Sequence, residues 1–295
     1  MREETRFKAG PVTPCSESMS PYTDWKKHWD ERSQQVTSDS AYNRDPQDDE
    51  IETLSEQELL SFIDPSIDDV VFDAGCGTGS NILLLHSKVK RIVGMDYSGG
   101  AVERCRRRIQ SNNIENAEVR EGSITEVPLP DSSVDKVLCM SVLQYVDDNE
   151  VTLAFNEFAR ILKDGGVLVL HVKNLSSPYH STLLIGKRVK LLLGKQAKIG
   201  YYRSFRWYIK ALRSFGFDIL DFNSFSLFVL PGMPRELVLF LQKLELRNYS
   251  KPLFRTAFMR RHGSDLKIKA ILKKNRTTGW QTTAASSSST YFSRQ

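Results

Sequence analysis

No apolar run of 18 or more residues occurs anywhere in the chain, so hydropathy gives no reason to expect a membrane-spanning helix. The opening stretch MREETRFKAGPVTPCSESMSP holds no apolar h-region; a secretory leader is not expected, and the reading places the protein in the cytoplasm. Cysteine is scarce. Cys15, Cys76, Cys105 and Cys139 lie in separate segments with no CxxC spacing, which argues against a disulfide framework and against a metal centre. Acid is scarce in one place. From Ser176 to the end there are 22 Lys plus Arg against 5 Asp plus Glu, while the formal charge of the whole chain is only +5. A basic half of this kind suits an anionic partner such as lipid head groups, a phosphorylated substrate or nucleic acid, or else a solvated face.

Short β-rich runs alternate with helical ones. DVVFDAG (69–75), RIVGMDY (91–97), AEVREGSI (117–124), VDKVLCMS (134–141) and VLVLHV (167–172) read as strands. SNILLLHSK (80–88), AVERCRRRIQ (101–110) and EVTLAFNEFARIL (150–162) read as helices, the last closed by Asp164-Gly165-Gly166. This alternation predicts an α/β fold built on a parallel sheet with helices on both faces. Further helices are expected over 22–34, where Trp25 and Trp29 share a face, and over 51–63, 181–195, 204–217 and 236–246. Strands over 218–230 and 265–274 complete the pattern. The last residues, Ser/Thr-rich, read as disordered.

The stretch Asp73-Ala-Gly-Cys-Gly-Thr-Gly79 stands directly behind the first strand, at the sheet edge where ligands of open α/β folds bind. Glycine there permits positive φ and a close approach to backbone. The dinucleotide fingerprint fits poorly, because its sixth position falls on Ser80 or Ile82; a P-loop Gly-Lys-Ser/Thr is absent. A G-x-G-x-G loop behind a strand-ending acid resembles the class I S-adenosylmethionine (SAM)-dependent methyltransferases. Four further segments follow in the order of that family: Asp96, 23 residues after Asp73; Gly122-Ser123-Ile124 after the third strand; CMSVLQYV (139–146) after the fourth; and LKDGGVLVLHV (162–172).

The resemblance implies a Rossmann-like seven-stranded class I methyltransferase sheet, with S-adenosyl-L-methionine as cofactor. It implies that Gly75, Gly77 and Gly79 admit the methionine part, that Asp73 reaches its amino group, that Asp96 holds the ribose, that Tyr97 and Ile124 sandwich the adenine, that Ser123 bonds its edge, and that Met140 runs beside it. The division that follows is an N-terminal arm and lid helix over 1–45, a SAM-binding core over 46–175, a C-terminal part over 176–275 with basic helical insertions on the substrate side, and the tail over 276–295. The branch most like this chain methylates quinones, lipids and other small molecules, and often carries Leu-His-His or Leu-Glu-His where this chain has Leu143-Gln144-Tyr145. A base for a hydroxyl acceptor would then come from elsewhere, with His171 and His180 as the candidates. The expected activity is O-methylation of a small or lipid-linked metabolite, with peripheral contact to an anionic membrane. An RNA methyltransferase using the basic half and a catalytically silent binding protein remain alternatives. Nucleic acid fits less well, because no appended RNA-binding module is readable.

Overall fold

A computed structural model describes residues 49–274 except 196, 198–199, 228 and 252–255, together with Trp25, His28, Trp29, Glu31 and Arg32. The expected arm, the tail, Cys15 and most of the 22–34 helix lie outside the described residues.

Seven strands form one sheet in the order β3-β2-β1-β4-β5-β7-β6. The first five, β1 (Val70–Ala74), β2 (Arg91–Asp96), β3 (Ala117–Glu121), β4 (Val134–Met140) and β5 (Leu162–Lys173), are parallel. β7 (Asp265–Leu272) inserts antiparallel between β5 and β6 (Phe217–Phe225). The C-terminal part of the chain therefore finishes the same sheet that the glycine-loop half begins.

Alternate residues of the central strands face opposite sides, and both sides are buried. On one, Phe72, Met95, Val137 and Leu170 pack against Phe155 and Phe158 of α4 (Asp148–Ile161) and Tyr208 and Leu212 of α6 (Phe205–Ser214). On the other, Val71, Ile92, Leu138 and Val169 meet Ile63 of α1 (Asp49–Ile63), Ile82 and Leu85 of α2 (Ser80–Leu85), and Val102 and Cys105 of α3 (Gly99–Ser111). A strand with two apolar faces needs cover on both, which explains its continuous Val/Ile/Leu character.

Local signals set the boundaries. Asp147 and Glu150 close a reciprocal capping box at the start of α4. Asp64, at φ 53°, stops α1 before Pro65. Among the boundaries that differ from expectation, three have a local cause. Asp164-Gly165-Gly166 does not cap α4; it lies inside a bulge of β5, where the register with β4 jumps between Val134–Leu162 and Lys136–Val167 and Gly165 takes φ 74°. β6 ends at Phe225 because Glu245 of α7 (Arg235–Asn248) accepts the amides of Ser226 and Leu227, removing them from the ladder. Helix α5 (Pro178–Leu192) starts three residues before the expected 181, where Ser177 caps the His180 amide. One short helix, α8 (Ala257–His262), has no counterpart in the pattern.

Candidate functional site

The bend after β1 hangs from the end of β2. Gly75 and Cys76 both donate to the Met95 carbonyl, at 2.7 and 3.0 Å. Gly77 donates at 2.9 Å to Asp96 Oδ2, and Ser98 at 2.9 Å to Asp96 Oδ1. Two backbone donors on separate loops thus fix the plane of one carboxylate. Gly75, Gly77 and Gly79 all have positive φ, at 77°, 53° and 87°. A Cβ at Gly75 would lie 2.2 Å from Val142 Cγ2, and one at Gly79 would lie 2.5 Å from Cys105 Sγ. At these two positions the visible demand for glycine is backbone conformation plus contact with the protein's own side chains, a packing reason that the sequence alone does not disclose.

Asp73 is fully buried at the end of β1. Burial pushes its carboxyl up to about 7; Asn81 opposes this by donating to both oxygens, at 3.1 and 3.3 Å, while the charge of Asp96 adds to the rise. A carboxylate poised there would be relieved by a cation. Next along the β2 edge, the Tyr97 hydroxyl donates to the Trp25 carbonyl at 2.9 Å, so Tyr97 ties the N-terminal helical residues to the C-terminal edge of the sheet. After β3, exposed Ser123 shares a 2.7 Å hydrogen bond with Thr125, and Ile124 is sunk in the core at 7% exposure. Met140, half-buried, ends β4.

Over the turn after β4 lies an aromatic group. Tyr145 packs against Trp25 and Trp29, with ring centroids 4.7 and 5.3 Å apart, and His28 lies between the tryptophans at 5.3 and 5.4 Å. Arg203 braces the turn from below, donating to the carbonyls of Leu143 and Val146 and to Asp148. Gln144 donates to the Ser141 carbonyl at 2.8 Å, and its own Oε1 is buried with no hydrogen-bond partner. An acceptor left so costs about 1–3 kcal/mol, a cost that a ligand or water donor would remove.

The two candidate histidines fall in different settings. His171, on β5 opposite Met140, lies 2.9 Å through Nδ1 from Ser141 Oγ, and its Nε2 lies 3.4 Å from Asp265 Oδ1. Burial lowers its pKa, and Asp265 works against that. Asp265 also accepts from Lys173 and, at 2.7 Å, from Ser264; although burial alone would raise its carboxyl, Lys173 and His171 hold it well below the usual range. Ser141 takes φ 61°, unusual for a residue with a side chain. His180 is 4% exposed between the rings of Tyr179 and Tyr202, with Nδ1 3.2 Å from Ser177 Oγ. Burial, helped by Lys173, takes its pKa to about 4, so it is neutral and locked into the start of α5.

Sequence reasoning therefore named one member of a linked group and missed Ser141, Lys173 and Asp265. Asp265 sits 94 residues after His171 and arrives through β7, so no local spacing could reveal it. A separate cavity of about 280 Å³, lined by Glu58, Asp221, Arg260 and Lys269 among others, contains none of the expected site residues.

The arrangement fits SAM on observations of this chain: an acid fixed at the end of β2, a second, buried acid whose charge a cation would stabilise, and a bend held in left-handed conformation between them. Residues 72–170 match the family model of the methyltransferase domain. Over 104 residues the chain is 33% identical to a Mycolicibacterium smegmatis protein described as a probable S-adenosylmethionine-dependent methyltransferase, covering 35% of this chain and 38% of that one. It is 35% identical over 111 residues to the carboxy-S-adenosyl-L-methionine synthase of Erwinia tasmaniensis (36% and 44% covered), and 32% over 100 residues to the malonyl-[acyl-carrier protein] O-methyltransferase of Yersinia pestis (34% and 35%). The chain thus spans well under half the length of these relatives. Among solved structures, the geranyl diphosphate C-methyltransferase of Streptomyces coelicolor, in complex with Mg2+, geranyl diphosphate and S-adenosyl-L-homocysteine, superposes with TM-score 0.56 at 17% identity over 84% of this chain and 98% of that one. The [4+2]-cyclase SpnF shares the fold at TM-score 0.51 and 16% identity, over 74% and 80%, so fold alone does not name the reaction. The sheet order and the matched segment agree: residues 72–170 form a methyltransferase domain, set in a sheet of the class I S-adenosylmethionine-dependent methyltransferase type.

Proposed function

We propose that the protein transfers a methyl group from SAM to a hydroxyl oxygen of a small or lipid-linked acceptor. The observation that carries the choice of oxygen is His171, set between Ser141 and Asp265 at the C-terminal edge of the sheet, where burial lowers its pKa. SAM supplies an electrophilic methyl on a sulfonium, so the chain's own work is to bind, align and manage one proton. The glycine bend and Asp73 receive the methionine part, and Asp96 takes the ribose hydroxyls by charge-assisted hydrogen bonds. Tyr97, Ser123 and Ile124 border the adenine side, and Met140 borders the edge between cofactor and acceptor. Trp25, Trp29 and Tyr145 roof the site and exclude water.

As the new oxygen–carbon bond forms and the carbon–sulfur bond breaks, the acceptor's proton has to leave. It passes to Ser141 Oγ while the serine proton moves to His171 Nδ1, and Asp265 offsets the charge of the resulting imidazolium. His180, locked neutral in the α5 cap, supports the wall of the site and takes no part in this transfer.

The test is a product-mass screen of purified protein with SAM and candidate alcohols and phenols, run beside His171→Ala and Ser141→Ala. The proposal expects a gain of one methyl on oxygen, with both variants slowed and still binding SAM by calorimetry. Wild-type turnover in both variants removes the base, and methylation at carbon or nitrogen removes the choice of oxygen.

A further inference from the structure

Helix α5 carries an apolar face that nothing among the described residues covers. Ile185, Val189, Leu192 and Leu193 are 62%, 47%, 86% and 67% exposed. At 100° per residue Ile185, Val189 and Leu192 fall within about 60° of one another, and Leu193, the C-cap, widens the stripe to about 100°. His180, at the start of the helix, is its single buried residue among those described. A lone exposed leucine needs no explanation, whereas four in register on one helix do.

The surroundings of the stripe say what it faces. Between Asp164 and Asp218 the chain contains no Asp or Glu and ten Lys or Arg. Arg188, Lys190 and Lys195 are exposed beside the stripe. A second copy brought face to face would oppose these cations to each other, which disfavours self-association through α5. Single-stranded RNA would want aromatic platforms, and the stripe offers only aliphatic side chains. Apolar contact in the middle with cations at the rim is the pattern of a helix lying in the head-group layer of an anionic bilayer. The helix is 15 residues long, and no helix among the described residues is long and apolar enough to cross a membrane, so the contact lies along the surface.

Position adds to composition. The helix begins five residues beyond Lys173, the last residue of β5, at the same sheet edge as the glycine bend. The segment that follows returns to that edge, where Tyr201 donates to the Gln144 carbonyl at 2.8 Å.

We infer that α5 docks the protein on anionic membrane surfaces, with Ile185, Val189, Leu192 and Leu193 entering the head-group layer and the flanking Arg and Lys meeting lipid phosphates. The inference stands apart from methyl transfer, since a chain that bound vesicles without binding SAM would leave it intact.

The test is co-sedimentation of the full chain with vesicles of phosphatidylcholine alone and of equimolar phosphatidylcholine and phosphatidylglycerol. Binding is expected to the anionic vesicles, with a loss of about tenfold or more between ~50 mM and ~500 mM salt, where the screening length falls from about 14 to about 4 Å. Leu192→Glu with Leu193→Glu, and separately Lys190→Glu with Lys195→Glu, should each weaken binding by about tenfold or more. Unchanged SAM calorimetry and thermal unfolding would certify that both variants are folded. The inference is overturned by no sedimentation at low salt, by equal binding to neutral vesicles, or by leucine variants that bind like the parent. A shift with RNA in place of vesicles, or self-association that disappears in the leucine variants, overturns it equally.

Discussion

The carboxylate of Asp96 receives the amide of Gly77 at 2.9 Å, so the acid at the end of one strand fixes the bend behind its neighbour. With the Ser98 amide on the other oxygen, Asp96 organises this edge of the sheet by itself. Asp96→Ala removes an acceptor from two backbone donors and, on the proposed function, the charge that meets the ribose. A hydrogen bond to a charged group is worth about 1.5–3 kcal/mol, so SAM affinity should fall about 10- to 100-fold. Asp96→Asn, which keeps one acceptor oxygen, should fall less. Calorimetric titration with SAM decides, and parental affinity in Asp96→Ala would sink the cofactor reading of this edge.

Asp73 makes stability depend on pH. Its folded pKa is raised to about 7 by burial, whereas an unfolded aspartate titrates near 3.9. The folded state therefore binds a proton that the unfolded state has released. The stability this gives is fully present below about pH 4 and is lost as pH rises through about 7. Asp73→Asn escapes the loss, so its advantage over the parent should grow from pH 5 to pH 8 and reach a few kcal/mol at most. Thermal unfolding at the two pH values measures this. If the cofactor's amino group pairs with Asp73, SAM binding will also release a proton, seen as a binding heat that varies with the ionisation enthalpy of the buffer and does not vary in Asp73→Asn.

His171 and Asp265 predict a shape for the rate profile. The groups acting on His171 are Asp265, which raises its pKa, and Lys173 and Lys267, which lower it along with burial. A neutral base works above its pKa, so the acid limb of kcat should lie below pH 6.5, the ordinary value for histidine. Asp265→Asn removes the raising partner and leaves Lys173 without its counter-charge, so the limb should move to lower pH while kcat at neutral pH drops about tenfold. SAM affinity should stay put. A limb that does not move would leave Asp265 as a partner of Lys173 alone.

The glycine bend, the acid at the end of the second strand and the first five strands were legible because each is a local pattern: a β run, a turn without side chains, a helical period. The reason for the glycines was read less well. Positive φ and ligand approach were the expectation; positive φ holds at all three glycines, while Val142 and Cys105 already occupy the space that a Cβ would need at Gly75 and Gly79. The surroundings of His171 were the hardest part: Ser141 reaches it through the β4–β5 pairing, but Asp265 arrives only because β7 inserts between β5 and β6, and no periodicity encodes that insertion. Tyr145 shows a similar limit. Its place after β4 was visible, while its packing against Trp25 and Trp29 depends on a segment more than a hundred residues away.

Arg203 shows how that turn is held in place. It is 5% exposed, and its guanidinium donates to Leu143 O at 2.6 Å, Val146 O at 2.8 Å and Asp148 Oδ1 at 2.7 Å while lying 5.0 Å from the Trp207 ring centroid. These contacts use the planar fork, which a lysine cannot reproduce. Arg203→Met strips the donors from two carbonyls and the counter-charge from Asp148; because Asp148 is exposed and water can replace the partner there, the cost comes from the carbonyls and amounts to about 2–4 kcal/mol. Arg203→Lys, satisfying one partner at a time, should lie between that variant and the parent. Denaturant midpoints give the ranking. Since the turn carries Gln144 and Tyr145, both variants should also bind the acceptor more weakly at temperatures where they remain folded. A midpoint for Arg203→Met within about 0.5 kcal/mol of the parent, the usual range for a surface change, would mean that the turn keeps its shape without the clamp.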